Sequence, residues 1–254
     1  MKSENISLSL SNNQVYPQVC LQASIDYLFF NNFRRNPVYN EILEHVNFEQ
    51  GLEYLDIIIQ HPQILREIEK FRLNDLFGNP VVYNFPEIGL FSPSTLRYVK
   101  VLCDLQKHFK SLDSIKICEI GVGYGGQCRI INSFFTPASY CLVDIKPALS
   151  LSQTYLDNFI INSSLSYLTM NELAVSDYDL VISNYAFTEL PLAIQDVYFK
   201  KIIKNSRMGY ITYNDINPPE YCSYKLPKLL DLITSASVFP EKPLTHPNNC
   251  IIVW

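Results

Sequence analysis

The sequence predicts an α/β fold, a mostly parallel sheet with helices on both faces, and three observations lead there. Four of the eight glycines fall within six residues, at Gly121, Gly123, Gly125 and Gly126. They stand between a strand-like run at 115–120 and a helix-like run at 127–135. Strand-like and helix-like segments then alternate to the end of the chain.

The glycine turn comes first because glycine costs backbone entropy and is kept where φ must be positive or the backbone must lie bare. A strand, a glycine turn and a helix N-terminus together form a nucleotide-cofactor site. The next strand, 140–143, ends on Asp144, 21 residues after Gly123. A carboxylate at that strand tip can accept hydrogen bonds from both ribose hydroxyls. The order continues with a helix at 147–159, opened by proline, and a third strand near 166–170. A fourth strand spans 179–184, and a helix at 191–204 opens with Pro191 and ends among Lys200, Lys201 and Lys204. A fifth strand spans 210–215, a further helix 225–235, and two closing strands lie near 237–239 and 250–254. The sheet is thus expected to have seven strands, its last hairpin antiparallel.

Composition sets the outer bounds. The chain has 254 residues, 48% hydrophobic and 18% charged, enough apolar material for a large core. A net charge of −5 without a dense Lys/Arg block disfavours nucleic acid as a partner. No apolar run reaches the roughly 18 residues of a membrane helix. The first 14 residues are polar and lack the pattern of a signal peptide, so a cytoplasmic chain with no integral membrane segment is expected. The seven cysteines show no CxxC or CxxH spacing and read as small buried apolar residues.

Gly121, Gly123 and Gly126 also fit G-x-G-x-x-G, which keeps a nicotinamide or flavin enzyme in view. Against it stands Glu119, two residues before the first glycine. A carboxylate there would repel a diphosphate, whereas a cofactor with a sulfonium and an ammonium would be attracted to it. E-x-G-x-G-x-G resembles the first motif of S-adenosylmethionine-dependent methyltransferases of the Rossmann-like class.

A narrower resemblance, to bacterial sugar O-methyltransferases, is carried by SPSTLRYVKVLCDL (92–105), ICEIGVGYGGQCRI (117–130), LVDIKPALSLSQTYL (142–156), YDLVISNYAFTEL (178–190) and PLTHPNNCIIVW (243–254). It implies a Rossmann-like class I methyltransferase sheet at 92–254, S-adenosylmethionine as donor, and a sugar or glycan-precursor hydroxyl as acceptor. Residues 1–91 are then a helical cap region, with helices expected at 41–60 and 63–77, the second stopped by Gly78 and Pro80. Such a cap either shapes the acceptor pocket or only buries an edge of the sheet. Three other readings stay open: methylation of another small-molecule hydroxyl, a non-catalytic S-adenosylmethionine-binding module, and an NAD-dependent oxidoreductase.

Methyl transfer to a hydroxyl needs alignment of the acceptor oxygen and removal of its proton. For the donor, Glu119 is expected to face the methionine portion, Gly121, Gly123 and Gly125 to admit the cofactor, and Asp144 to hold the ribose. Asn184, at the tip of the fourth strand, is expected where the transferred methyl would sit. Arg97 and Tyr98, one turn into a helix capped by Ser92, could reach the methionine carboxylate. Glu189 and His246 are the two candidate bases, while His45, His61 and His108 read as structural. No tight acidic cluster joins Asp215, so no metal ligand is assigned. Asn217-Pro218-Pro219 follows the fifth strand rather than the fourth, which sets it apart from the motif of enzymes that methylate base amines.

Overall fold

The computed structural model describes residues 15–254. The polar segment on which the expectation about a leader rests, and the start of the cap region, lie outside these residues. The described residues open with helices α1 (Val15–Ile25), α2 (Tyr27–Phe30), α3 (Pro37–Tyr39), α4 (Phe48–Ile59), α5 (Pro62–Leu65) and α6 (Ile68–Arg72). A hairpin, β1 (Tyr83–Phe85) and β2 (Gly89–Phe91), leads into the long α7 (Pro93–Phe109). Then follow β3 (Lys116–Ile120), α8 (Gly126–Asn132), β4 (Ser139–Val143), α9 (Lys146–Leu156), β5 (Ser164–Leu168) and β6 (Leu180–Asn184). The chain closes with α10 (Leu192–Lys201), β7 (Met208–Tyr213), α11 (Leu226–Leu232), β8 (Ser237–Pro240) and β9 (Cys250–Val253).

The seven-stranded sheet runs β5-β4-β3-β6-β7-β9-β8. Only β9 opposes its neighbours, pairing antiparallel with both β7 and β8. In chain order the strands stand third, second, first, fourth, fifth, seventh, sixth, which is the Rossmann-like methyltransferase sheet. The connections reverse direction between β3 and β6, so the crevice outside the carboxyl ends of those strands is the natural ligand site. Residues 117–120 are buried on both faces of the sheet, as a central parallel strand requires. One core cluster unites Ile117, Tyr140 and Leu142 with the N-terminal helices; the other packs Cys118, Ile120 and Val181 against α10 and α11.

Local chemistry explains where helices start. Ser92 accepts a hydrogen bond from the Thr95 amide at 3.2 Å, and Pro93 holds the first position of α7. The expected helix at 41–60 is divided: a π-turn covers Asn40–Glu44, and α4 begins afresh at Phe48. The cause is Asn47, which accepts from the Gln50 amide while the Gln50 side chain accepts from the Asn47 amide. The expected helix at 63–77 is likewise broken into α5, α6 and a 3-10 turn at Leu73–Asp75. Its last polar residues bond elsewhere: Asp75 accepts from the Ser92 amide and the Thr95 hydroxyl, and Asn74 donates to Tyr124. The third sheet strand lies two residues earlier than expected, and β7 ends at Tyr213, which leaves Asn214 and Asp215 beyond the sheet. Six cysteines are buried as expected, but Cys222 is exposed in a turn at φ 49°.

Candidate functional site

A cavity of about 690 Å³ opens at the carboxyl ends of β3, β4, β6 and β7. Its floor is the glycine turn. Gly121 (φ 80°) and Gly123 (φ 55°) adopt the left-handed region that glycine alone enters freely. A Cβ on Gly121 would lie 2.1 Å from that of Ala186, and one on Gly123 would lie 2.9 Å from a Leu43 methyl. Gly125 (φ 87°) does not line the cavity: it caps α8 and faces Leu156 and Ser152 of α9. Its conformation serves the turn.

Two carboxylates flank that floor. Glu119, 3% exposed, accepts from the Tyr140 hydroxyl at 2.7 Å. Burial pushes its carboxyl up to about 8, the Tyr140 bond lowering it only in part and nearby Asp144 raising it. Asp144 accepts from the Gly123 amide at 3.1 Å and from the Ile145 amide at 2.7 Å. Burial raises it to about 6 despite those bonds. Among the described residues neither acid forms an ion pair with a Lys or Arg. Arg97 instead donates to the Leu43 carbonyl at 3.1 Å and lies over the Tyr98 and Tyr185 rings, each 5.7 Å to centroid. It lines the cavity with Tyr98.

The opposite wall follows β6 and β7. Tyr185 stands at φ 53°, a strained backbone for a bulky side chain, between Asn184 and Ala186, both of which line the cavity. Its hydroxyl donates to Glu241. Glu189, on a 3-10 turn at Phe187–Glu189, lines the cavity and accepts from the Asn214 amide at 2.6 Å. Burial raises its carboxyl to about 7 even though that bond lowers it. His246 lines the same wall, its Nδ1 buried without a partner.

Nine of the ten residues assigned from sequence therefore line one cavity, with Gly125 outside it. Sequence reasoning overlooked several neighbours. His45 lines the cavity, where burial and Arg97 hold its imidazole below the ordinary value. Asn214, Thr245 and Asn249 line it as well. The capping-box spacing of Asn47 and Gln50 was the available signal for His45, since it starts α4 after that residue and leaves it outside the helix. His108 packs its ring 4.6 Å from Phe239. Asp215 is paired with Lys225, and Asn217 bonds the Thr188 carbonyl and Ser223. No helix among the described residues is long and apolar enough to cross a membrane.

No family model matches the chain, and no curated protein matches it in sequence. Solved structures are similar to part of the chain. Magnesium protoporphyrin IX methyltransferase from Synechocystis PCC 6803 with bound SAM superposes with a TM-score of 0.47 and 13% identity, over 62% of this chain and 76% of that one. The same enzyme with bound SAH gives 0.48 and 12%, over 62% and 80%. A pyocyanin biosynthetic protein gives 0.43 and 12%, over 63% of this chain and 57% of that one. The strand order and the cavity of this chain carry the functional reading.

Proposed function

We propose that the protein transfers a methyl group from S-adenosylmethionine to a hydroxyl of a sugar or glycan precursor. The observation that carries this is the pair of buried carboxylates, Glu119 and Asp144, on either side of the glycine turn, with no cation among the described residues bonded to them. A diphosphate would oppose ionisation of this pair, whereas a sulfonium and an ammonium would favour it.

Glu119 faces the methionine portion, Asp144 takes the ribose hydroxyls through lone pairs left free by the amides of Gly123 and Ile145, and Arg97 with Tyr98 orients the methionine carboxylate. The donor supplies an electrophilic methyl carbon whose bond to sulfur breaks with the electron pair going to sulfur. Glu189 removes the acceptor hydroxyl's proton as that oxygen attacks, and its raised carboxyl suits proton transfer near neutral pH. His246 is the second candidate for that task.

Calorimetric titration with S-adenosylhomocysteine, with NADH as control, tests the donor. Binding of the former alone is expected; binding of NADH instead overturns the reading. Mass spectrometry of glycan extracts incubated with S-adenosylmethionine then reads methyl gain. Glu189→Gln is expected to slow transfer about 10²–10⁴-fold with donor affinity kept. A larger loss in His246→Gln would move the base to that residue.

A further inference from the structure

The acceptor wall contains buried amides that are held at one end and unpaired at the other. Asn214 and Asn249, 9% and 6% exposed, line the cavity, and each has an Oδ1 with no hydrogen-bond partner. They are neighbours across the sheet end, since Tyr213 pairs with Cys250 and each asparagine is one residue further out.

Their orientation is fixed by what holds the other end. Glu241, 4% exposed, accepts from the Tyr185 hydroxyl, from the Thr245 amide at 2.8 Å, and from the Thr245 hydroxyl at 2.9 Å. A hydroxyl has one proton, and that of Thr245 is given to Glu241. Toward Asn249, 2.9 Å away, the Thr245 oxygen can only accept, so the amide NH₂ lies there and the carbonyl oxygen is left over. Asn214 donates through its side-chain NH₂ to the Glu189 carboxyl, which leaves its own carbonyl oxygen over.

We infer that Asn249 and Asn214, beside Glu189, make the acceptor end of the cavity selective for a neutral polyhydroxylated group and against a carboxylate or phosphate. The inference rests on the methyltransferase reading and deepens it. Buried oxygens without partners are costly, and a ligand that donates to them recovers the loss. The oxygens of a carboxylate or a doubly ionised phosphate would meet the asparagine oxygens lone pair to lone pair, beside the Glu189 carboxyl. An unpaired donor nearby, Asn184 Nδ2 on the adjacent strand β6, sharpens the choice. A hydroxyl can donate to the asparagine oxygens and also accept from Asn184; an ammonium can only donate.

Ligand-observed NMR on protein saturated with S-adenosylhomocysteine tests this with common hexoses and pentoses, each beside its uronate, sugar phosphate and 2-amino counterpart. Neutral members are expected to bind at least ten-fold more tightly than the uronates and phosphates, and no more weakly than the amino sugars. Asn249→Leu is expected to weaken the neutral members about ten-fold. Equal or tighter binding of an anionic member, unchanged binding in Asn249→Leu, or no binding by any member overturns the inference. Calorimetry with S-adenosylhomocysteine on the same samples separates the failures: no donor binding sinks the methyltransferase reading, and donor binding with the wrong acceptor preference sinks only this one.

Discussion

Two buried polar regions of this molecule differ in how completely they are satisfied. Arg34, fully buried, donates to Glu44 at 2.7 and 3.1 Å, to Asp75 at 3.0 Å, and to the hydroxyls of Ser92 and Ser94 at 2.9 and 3.0 Å. Its guanidinium also lies 4.9 Å from the Tyr124 ring centroid. Every nitrogen has a partner, all from the protein. At the proposed acceptor wall Asn184, Asn214, His246 and Asn249 each keep a buried polar atom unpaired. A polar cluster that closes on itself holds elements together, and one that leaves atoms over is shaped for something the chain does not supply.

Removing Arg34 is the most severe way to break this contrast. Arg34→Met leaves Glu44 and Asp75 as buried charges without their cation, and should cost about 3–5 kcal/mol in urea unfolding. A loss below about 1 kcal/mol would show that the network does not join the N-terminal helices to α7.

The cavity acids give the next effect, with a definite sign. Glu119, Glu189 and Asp144 are raised by burial to about 8, 7 and 6. In the range from about pH 4 to 8 the unfolded chain has already lost protons that the native state still holds. Stability of the ligand-free protein should therefore fall as pH rises through that window, by on the order of a few kcal/mol, and level off above it. Affinity for S-adenosylmethionine should rise through pH 8, because the cationic donor favours ionised Glu119. Thermal melts and calorimetry at pH 5.5, 7 and 8.5 check both. Donor affinity that falls with pH would remove Glu119 from the donor site.

What the sequence disclosed follows the same division. The glycine turn, Asp144 and the Ser92-Pro93 cap were legible because each depends on neighbours within a turn or on a strand-turn-helix spacing. The alternation of elements exposed the sheet for the same reason. The Arg34 network was invisible: Glu44 is 10 residues away, and Asp75, Ser92 and Ser94 are 41, 58 and 60 away. Asn249 and Asn214 escaped notice because their meaning comes from the antiparallel register of β7 and β9, which no local pattern encodes. The division of the expected helix at 41–60 was within reach, since Asn47 and Gln50 have capping-box spacing, but the apolar face across the break concealed it.

A smaller effect sharpens the donor half of the cavity. Asp144→Ala removes the group expected to hold the ribose hydroxyls and should weaken S-adenosylhomocysteine by about 1–3 kcal/mol. Unchanged affinity in a folded variant would refute that assignment. It would also mean that Asp144 serves only the turn, through the amides of Gly123 and Ile145.

The smallest effect is the most telling for the contrast. Asn249→Leu deletes one bond, from the amide to Thr245, and with it the buried unpaired oxygen. The lost bond costs about 0.5–1.5 kcal/mol, and relieving an unsatisfied carbonyl returns about 1–3 kcal/mol. Leucine has the branched frame of asparagine, and its bulkier methyl groups meet the cavity that residue 249 lines. The net change in urea unfolding should be within about 1 kcal/mol of zero or stabilising, against the several lost at Arg34. If Asn249→Leu destabilised the ligand-free protein as much as Arg34→Met, Asn249 would belong with the closed network. Its oxygen would then be a structural element of the 241–249 loop rather than part of a wall held ready for a ligand.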